Sequence, residues 1–287
     1  MSTTTLSLPR RFASLVKLEH TVFALPFAYV GAFLAVDGFP GVGATIWLTL
    51  AMVGARTLAM GLNRLIDAEL DARNPRTSGR ELPVGTLTRA QVWALCSLSL
   101  ALYLIAAFQL EPIVRWLWPI PVVMFVIYPY LKRVTWLCHL WLGACTGLAP
   151  LGAWLAVTGE APWEAWALFV AQGLWVAGFD LFYSLFDREH DLREGIRSWA
   201  TRFGERGVFT GARSFHVASV VALVAVGIGL QSDIFYWIGV LAVAGLLLYE
   251  HTLVRPGHLE RLDAAFFTIN GVIAVVFFAF VVMDTLT

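Results

Sequence analysis

The chain has 287 residues, 59% hydrophobic and only 14% charged, with a mean hydropathy of +0.72. A soluble globular domain carries about 25% charged residues, so this composition excludes one and specifies a protein embedded in a lipid bilayer. Twenty Lys and Arg balance twenty Asp and Glu to a net charge of zero, and no nucleic-acid partner is expected.

Taken in order, residues 1–9 read as a Ser/Thr-rich disordered tail. The first apolar segment, 22–36, follows Arg10, Arg11 and Lys17 and reads as a retained helix instead of a signal peptide, because many further spans follow it. Windows of about 19 residues then give nine candidate transmembrane helices in one domain spanning 1–287. Their cores are 22–36, 43–66, 91–108, 113–129, 136–157, 163–186, 208–230, 234–254 and 264–283. The fold class is therefore an all-α membrane protein, a bundle of nine transmembrane helices around a cytoplasm-facing cavity. Cys96, Cys138 and Cys145 all lie in apolar stretches and read as packing residues, with no disulfide framework implied.

Apart from Arg56 inside the second span and Arg115, the basic residues gather in the N-terminal tail and around the loops after spans two, four, six and eight. The opposite loops carry Asp37, Glu111, Glu160 and Asp233. This asymmetry predicts a cytoplasmic N-terminus and a C-terminus on the other side of a bacterial-type inner (plasma) membrane. Two of the basic loops are predicted to be long, 72–88 and 188–207. The second helix should run past Asp71 and stop before Pro75, because the residue before a proline disfavours the α region. Thr88-Arg-Ala-Gln91 reads as a capping box that opens the third helix.

The chemistry gathers at two clusters. The second helix presents Arg56, Asn63, Asp67 and Asp71 at offsets 0, 7, 11 and 15, all near one face. The sixth presents Asp180, Tyr183, Asp187 and Asp191 at offsets 0, 3, 7 and 11, again one face. Arginines and a hydroxyl follow each pair, Arg73, Arg76 and Thr77, then Arg193, Arg197 and Ser198, compatible with two related halves. If the two faces meet, at least four carboxylates share one cavity and repel unless cations occupy it. Oxygen-only ligands suit Mg²⁺ or Ca²⁺, and Mg²⁺ is commonly held by carboxylates together with substrate phosphates. Flanking Arg76, Arg80, Lys132, Arg133, Arg193 and Arg197 would meet the remaining phosphate charge. A Mg²⁺–diphosphate site at the mouth of an apolar bundle points to a prenyl diphosphate, with aromatic side chains facing the allylic carbocation. Arg56 lies 11 residues from Asp67, hence about 16 Å deeper along the helix, where an arginine normally faces a cavity and an anion.

These residues carry a resemblance. Asn63-x3-Asp67-x3-Asp71, Arg76-Thr-Ser-Gly-Arg80-Glu-Leu-Pro83-x-Gly85, Tyr128-Pro-x2-Lys132-Arg133, Asp180-x2-Tyr183-x3-Asp187-x3-Asp191 and Gly195-Ile-Arg197-Ser198 occur in order along the chain. Together they resemble the UbiA-type intramembrane aromatic prenyltransferases over nearly the whole length. The resemblance implies nine helices and a cytoplasmic-side cavity for Mg²⁺ and a polyprenyl diphosphate donor. It implies Asn63, Asp67, Asp71, Asp187 and Asp191 as metal–diphosphate ligands, and Lys132 and Arg80 as diphosphate contacts. Arg56 matches the position that binds the carboxylate of an aromatic acid acceptor, and Asp180 and Tyr128 match positions near the reacting centre. Where the ubiquinone branch often has Asn-Asp-Tyr, this chain has Asn63-Arg64-Leu65, which removes one carboxylate. The acceptor implied is 4-hydroxybenzoate or, because Lys17-Leu-Glu-His20-Thr-Val-Phe-Ala-Leu-Pro26 resembles a menaquinone-linked subset, a dihydroxynaphthoate. His20 could orient or deprotonate a phenol. His139, His216, His251 and His258 carry no assignment, and His190 reads as a solvated loop residue.

An ion-coupled transporter is the alternative, since intramembrane carboxylates can also carry ions. It predicts charges spread towards the midplane from both sides, whereas both clusters here lie at one mouth beside phosphate-type arginines. A transferase acting on nucleotide-linked alcohols would show a Gly between closely spaced aspartates, and none is present.

Overall fold

In the computed structural model, which describes residues 7–16, 21–254 and 268–287, every regular element among those residues is a helix. Lipid supplies no hydrogen-bond partners, so a spanning chain must satisfy its backbone within helices. In chain order these are α1 (Leu8–Leu15), α2 (Thr21–Val36), α3 (Val42–Arg73), α4 (Arg89–Ala107), α5 (Val114–Leu117), α6 (Pro119–Val134), α7 (Cys138–Thr158), α8 (Trp163–Glu194), α9 (Trp199–Leu230), α10 (Ile234–Leu253) and α11 (Asn270–Leu286). Among the described residues seven are long and apolar enough to cross a bilayer, α5 and α6 counting together as one span, Val114–Val134. The apolar part of α2, Leu25–Val36, and α11 are shorter. The nine apolar segments of the sequence thus correspond to seven such spans and two shorter apolar helices. Large apolar side chains cover the outside, Leu98 at 71% and Leu241 at 72% exposure among them, the inverse of a soluble surface.

Helices α2, α7, α8, α9, α10 and α11 pack in sequence, with α11 returning to α2, around a core that includes Phe27, Leu168, Trp175, Tyr236 and Phe277. Helix α3 packs against α4 and α6 and touches α2 and α7, and α6 also packs against α7. Small residues set the crossings, as helix pairs in lipid require. A Cβ on Gly143 of α7 would stand 2.2 Å from the Gly173 carbonyl oxygen of α8. Because α7 and α8 each carry part of the site, Gly143→Val is expected to cost about 1–3 kcal/mol by overpacking. The check is a thermal unfolding midpoint in detergent; an unchanged midpoint would mean the two backbones can separate freely.

Two sequence expectations need correction at the ends of the elements. The tail expected over 1–9 lies outside the described residues for 1–6, and a helix starts at Leu8 with a proline in its first turn. The long loop expected at 188–207 is mostly helix. α8 continues to Glu194, stops at Gly195 in the left-handed conformation (φ 70°), and α9 restarts at Trp199. Ser198 and Thr201 cap that restart reciprocally, and Gly204 (φ 67°) lets the backbone kink within α9. His20 and His258 lie outside the described residues. The expected stop before Pro75 and the capping box of Thr88 and Gln91 are both present.

Candidate active site

The two clusters come from α3 and α8 running beyond their apolar spans to one end of the bundle. There the ends of α3, α6 and α8, the start of α7, the turn after α3 and the 195–198 turn enclose a cavity of about 210 Å³. Its lining includes Asn63, Asp67, Asp71, Asp180, Asp187 and Asp191, together with Arg76, Arg80, Lys132, Tyr128 and Tyr183. Periodicity placed each cluster on one face of its helix and left their meeting as a condition, which this shared cavity meets.

Charge is sorted pairwise inside the cavity. Arg80 Nη1 donates to both oxygens of Asp71, at 2.7 Å each. The Lys132 ammonium donates to Asp67 Oδ2, and Arg133 Nη2 reaches Asp67 Oδ1 at 3.3 Å. Asn63 Nδ2 lies one turn up, 3.3 Å from Asp67 Oδ2. Arg76 clamps Asp187 through Nε (2.8 Å) and Nη2 while its Nη1 donates to the Tyr183 hydroxyl at 2.8 Å. Burial works against the Arg76 charge, but the Asp187 bonds outweigh it and raise its pKa above the ordinary arginine value. At the rim, Arg73 pairs with Glu194 at 3.1 Å and ties the ends of α3 and α8 together. α1 braces the turn after α3, with Ser14 Oγ donating to Glu81 at 2.5 Å and Arg11 to the Thr86 carbonyl at 2.8 Å.

Since these carboxylates turn to different cations, no three His, Cys, Asp or Glu side chains among the described residues converge as a finished metal cage. The donor set nevertheless fits a hard divalent cation. Asn63, Asp67, Asp71, Asp187 and Asp191 offer only oxygen-bearing side chains, all from the walls of one cavity.

Two expected phosphate contacts sit elsewhere. Arg197 Nη1 donates to the Val134 carbonyl at 2.7 Å, and its N–H to the Lys132 carbonyl at 2.7 Å, so it caps the end of α6 instead of facing the cavity. Arg193 is exposed and pairs along its own helix with Glu189 at 3.6 Å. Neither lines the cavity, and Arg133 touches it only through Asp67. Conversely, three contributors went unread. Asn74 Nδ2 donates to Asp187 at 2.8 Å. His139 bonds Asp180 through Nδ1 at 2.6 Å. His190, expected as a solvated loop residue, sits on α8 and lines the cavity with a buried Nε2 that has no hydrogen-bond partner. Asn74 follows the Asp71 motif by three residues and could have been found there; a lone histidine in an apolar run such as His139 offers no signal.

Deeper in the bundle lies a second cavity of about 360 Å³ among α3, α4, α6 and α7. Met52, Phe125, Leu142 and Leu148 line it, and Arg56 projects its charge from the α3 wall. Asn63 and Tyr128 line both cavities and mark where they meet. Arg64, at the position of the missing carboxylate, is buried and turns to the Leu15 carbonyl (3.4 Å), towards α1.

Known proteins share this architecture. The model of the UbiA prenyltransferase family matches residues 24–280. A 4-hydroxybenzoate octaprenyltransferase of Aliivibrio fischeri is 31% identical over 271 residues, covering 94% of this chain and 92% of that protein. Its namesake from Aromatoleum aromaticum is 32% identical over 252 residues, 87% of this chain and 85% of that protein. The apo structure of a UbiA homolog from Aeropyrum pernix superposes with a TM-score of 0.85 at 30% identity, covering 93% of this chain and 98% of that one. A UbiA homolog from Archaeoglobus fulgidus, bound to GPP and Mg²⁺, has the same fold with a TM-score of 0.76 at 18% identity, covering 95% and 99%.

Proposed function

This chain belongs to the UbiA prenyltransferase family and is an integral-membrane prenyltransferase, and from that premise we propose that it moves a polyprenyl group from its diphosphate to an aromatic acid in respiratory quinone biosynthesis. The observation that carries this reading is the meeting of a charged and an apolar cavity at Asn63 and Tyr128. A diphosphate matches the first and a hydrocarbon the second, so the bond to be broken falls at their junction. The acceptor is of the 4-hydroxybenzoate or dihydroxynaphthoate type. The 4-hydroxybenzoate octaprenyltransferases among the relatives support the first of these.

Mg²⁺ would be held by Asn63, Asp67, Asp71, Asp187 and Asp191, and when bound it supplies positive charge to the departing diphosphate. Arg76, Arg80 and Lys132 turn from their carboxylates to phosphate oxygens and add to that stabilisation. The allylic C–O bond breaks with its electron pair leaving on the diphosphate. The ring carbon of the acceptor forms the new C–C bond, and the ring then gives up its proton. Tyr128 offers an aromatic face at the junction to the intervening cation. Arg56 takes the acceptor carboxylate, and the apolar walls around it exclude water that would quench the cation. The basic turns at the site end support a cytoplasmic orientation for that end and for the N-terminus in an inner membrane, with the C-terminus on the other side.

The test is transfer of a labelled prenyl group from one prenyl diphosphate to a panel of aromatic acids and their neutral analogues, read by mass spectrometry. Acids are expected to be prenylated in preference. Arg56→Ala should raise KM for the acid about 10- to 100-fold, the worth of a charge-assisted pair, with KM for the donor little changed. Equal loss on both substrates would make Arg56 structural, and failure to prenylate any aromatic would overturn the reading itself.

A further inference from the structure

His139 stands at the start of α7, 6% exposed, with both ring nitrogens bonded to different helices. Nδ1 lies 2.6 Å from Asp180 Oδ2 on α8, and Nε2 receives the backbone N–H of Trp199 at 3.2 Å. Trp199 is the first residue of α9, whose opening N–H groups have no partner within the helix. A backbone amide can only donate, so Nε2 must be the unprotonated nitrogen. The proton therefore sits on Nδ1 and points at the Asp180 carboxylate. Helix geometry alone thus fixes the tautomer of a neutral imidazole. In this arrangement the second nitrogen orients the ring and the first orients a carboxylate.

Asp180 is 17% exposed and lines the charged cavity with Asn63 and Tyr128, the two residues at its junction with the apolar one. With Oδ2 held by His139, the carboxylate cannot rotate freely, and Oδ1 is left to face substrate. Its place differs from that of the other cavity carboxylates. Asp67, Asp71 and Asp187 are paired to cations that would turn to phosphate, whereas Asp180 is paired to a neutral donor that has no reason to leave. Resting on the prenyltransfer reading, we propose that His139 is a positioning residue. It fixes Asp180 so that Oδ1 receives the proton the acceptor ring loses once its new C–C bond has formed. The electron pair of that C–H bond returns to the ring and restores aromaticity, and the proton passes from Asp180 to water as product leaves. The 195–198 turn becomes part of the device, because the start of α9 holds the imidazole in register.

Glutamine can imitate both bonds, an amide N–H to Asp180 and an amide oxygen to the Trp199 N–H. His139→Ala should lower kcat about 10- to 100-fold, the loss expected of a displaced proton acceptor, while KM for the prenyl diphosphate stays within about twofold. His139→Gln should recover most of that loss. In an Asp180→Asn background, His139→Ala should cost almost nothing further, since the group it positions is gone. Full-length protein in membranes, with any acceptor the wild type prenylates, suffices for all three. If His139→Gln is as impaired as His139→Ala, or if the losses of His139→Ala and Asp180→Asn multiply, His139 acts on the fold and not through Asp180. A wild-type chain inactive on every aromatic overturns the prenyltransfer reading instead, a result distinct from either.

Discussion

Asp67→Asn is expected to lower turnover by about 10²- to 10³-fold while leaving the protein folded, the scale of removing one preorganised charge contact from a transition state. The side chain is 2% exposed and collects Lys132, Arg133 and Asn63 around it. Asparagine keeps its shape and one oxygen but removes the charge that a divalent cation needs. The released cations are not stranded, because the Lys132 and Arg133 side chains are 29% and 40% exposed and can reach water. The reverse deletion behaves differently. Lys132→Ala leaves the Asp67 carboxylate buried with only the 3.3 Å contacts to Arg133 and Asn63, and breaking one side of a buried pair costs about 3–5 kcal/mol when nothing replaces it. Lys132→Ala should thus lower the unfolding midpoint more than Asp67→Asn does, although both suppress turnover. Asp191→Asn tests the shared site from the other helix. Near-normal kcat in both Asp67→Asn and Asp191→Asn, measured in single-turnover transfer, would show that the clusters on α3 and α8 do not act together.

How much of this was legible beforehand follows the range of each interaction. The one-turn spacing of Asn63, Asp67 and Asp71 is a local property of a helix, and so is the halt before Pro75. Both therefore survive from sequence to structure. The loop expected at 188–207 gave way to helix because hydropathy marks where an apolar span ends, not where its helix ends. Gly195 and the Ser198–Thr201 box were the local signals of a short turn between two long helices. Arg197 and Arg80 look alike as sequence, each a few residues beyond an aspartate pair. Only tertiary packing sends one to the end of α6 and the other to Asp71. His139 is the same lesson in reverse: its partners on α8 and α9 are 41 and 60 positions away, beyond any periodic pattern.

Donor and metal are expected to bind as a unit, with diphosphate affinity falling about 30- to 1,000-fold when divalent cations are removed. The reason lies in the charge of the cavity wall. Five carboxylates, Asp67, Asp71, Asp180, Asp187 and Asp191, face three cations, Arg76, Arg80 and Lys132. Among these eight groups two negative charges are left over. A diphosphate entering alone would both add to that excess and pull the three cations off their carboxylates, leaving Asp71 buried and unpaired and Asp67 buried with only the 3.3 Å contacts to Arg133 and Asn63. A divalent cation entering alone cancels the excess but competes with guanidinium and ammonium groups already seated. Entering together, the cation takes the carboxylates as the side-chain cations move to phosphate, so every charge exchanges one opposite partner for another. Two buried charges that each lose their main cationic partner, at about one or two kcal/mol each, correspond to roughly 30- to 1,000-fold in affinity. By linkage, the diphosphate must strengthen metal binding by the same factor. The measurement is titration of a non-ionisable prenyl diphosphate analogue into detergent-solubilised protein, with Mg²⁺ and after exhaustive chelation, followed by the converse titration of metal. Neutralising one carboxylate, as in Asp187→Asn, should shrink the coupling, because Arg76 is then already free to meet phosphate. Equal analogue affinity with and without metal would mean that the arginines and Lys132 hold the diphosphate unaided, and the carboxylates of α3 and α8 would need another role.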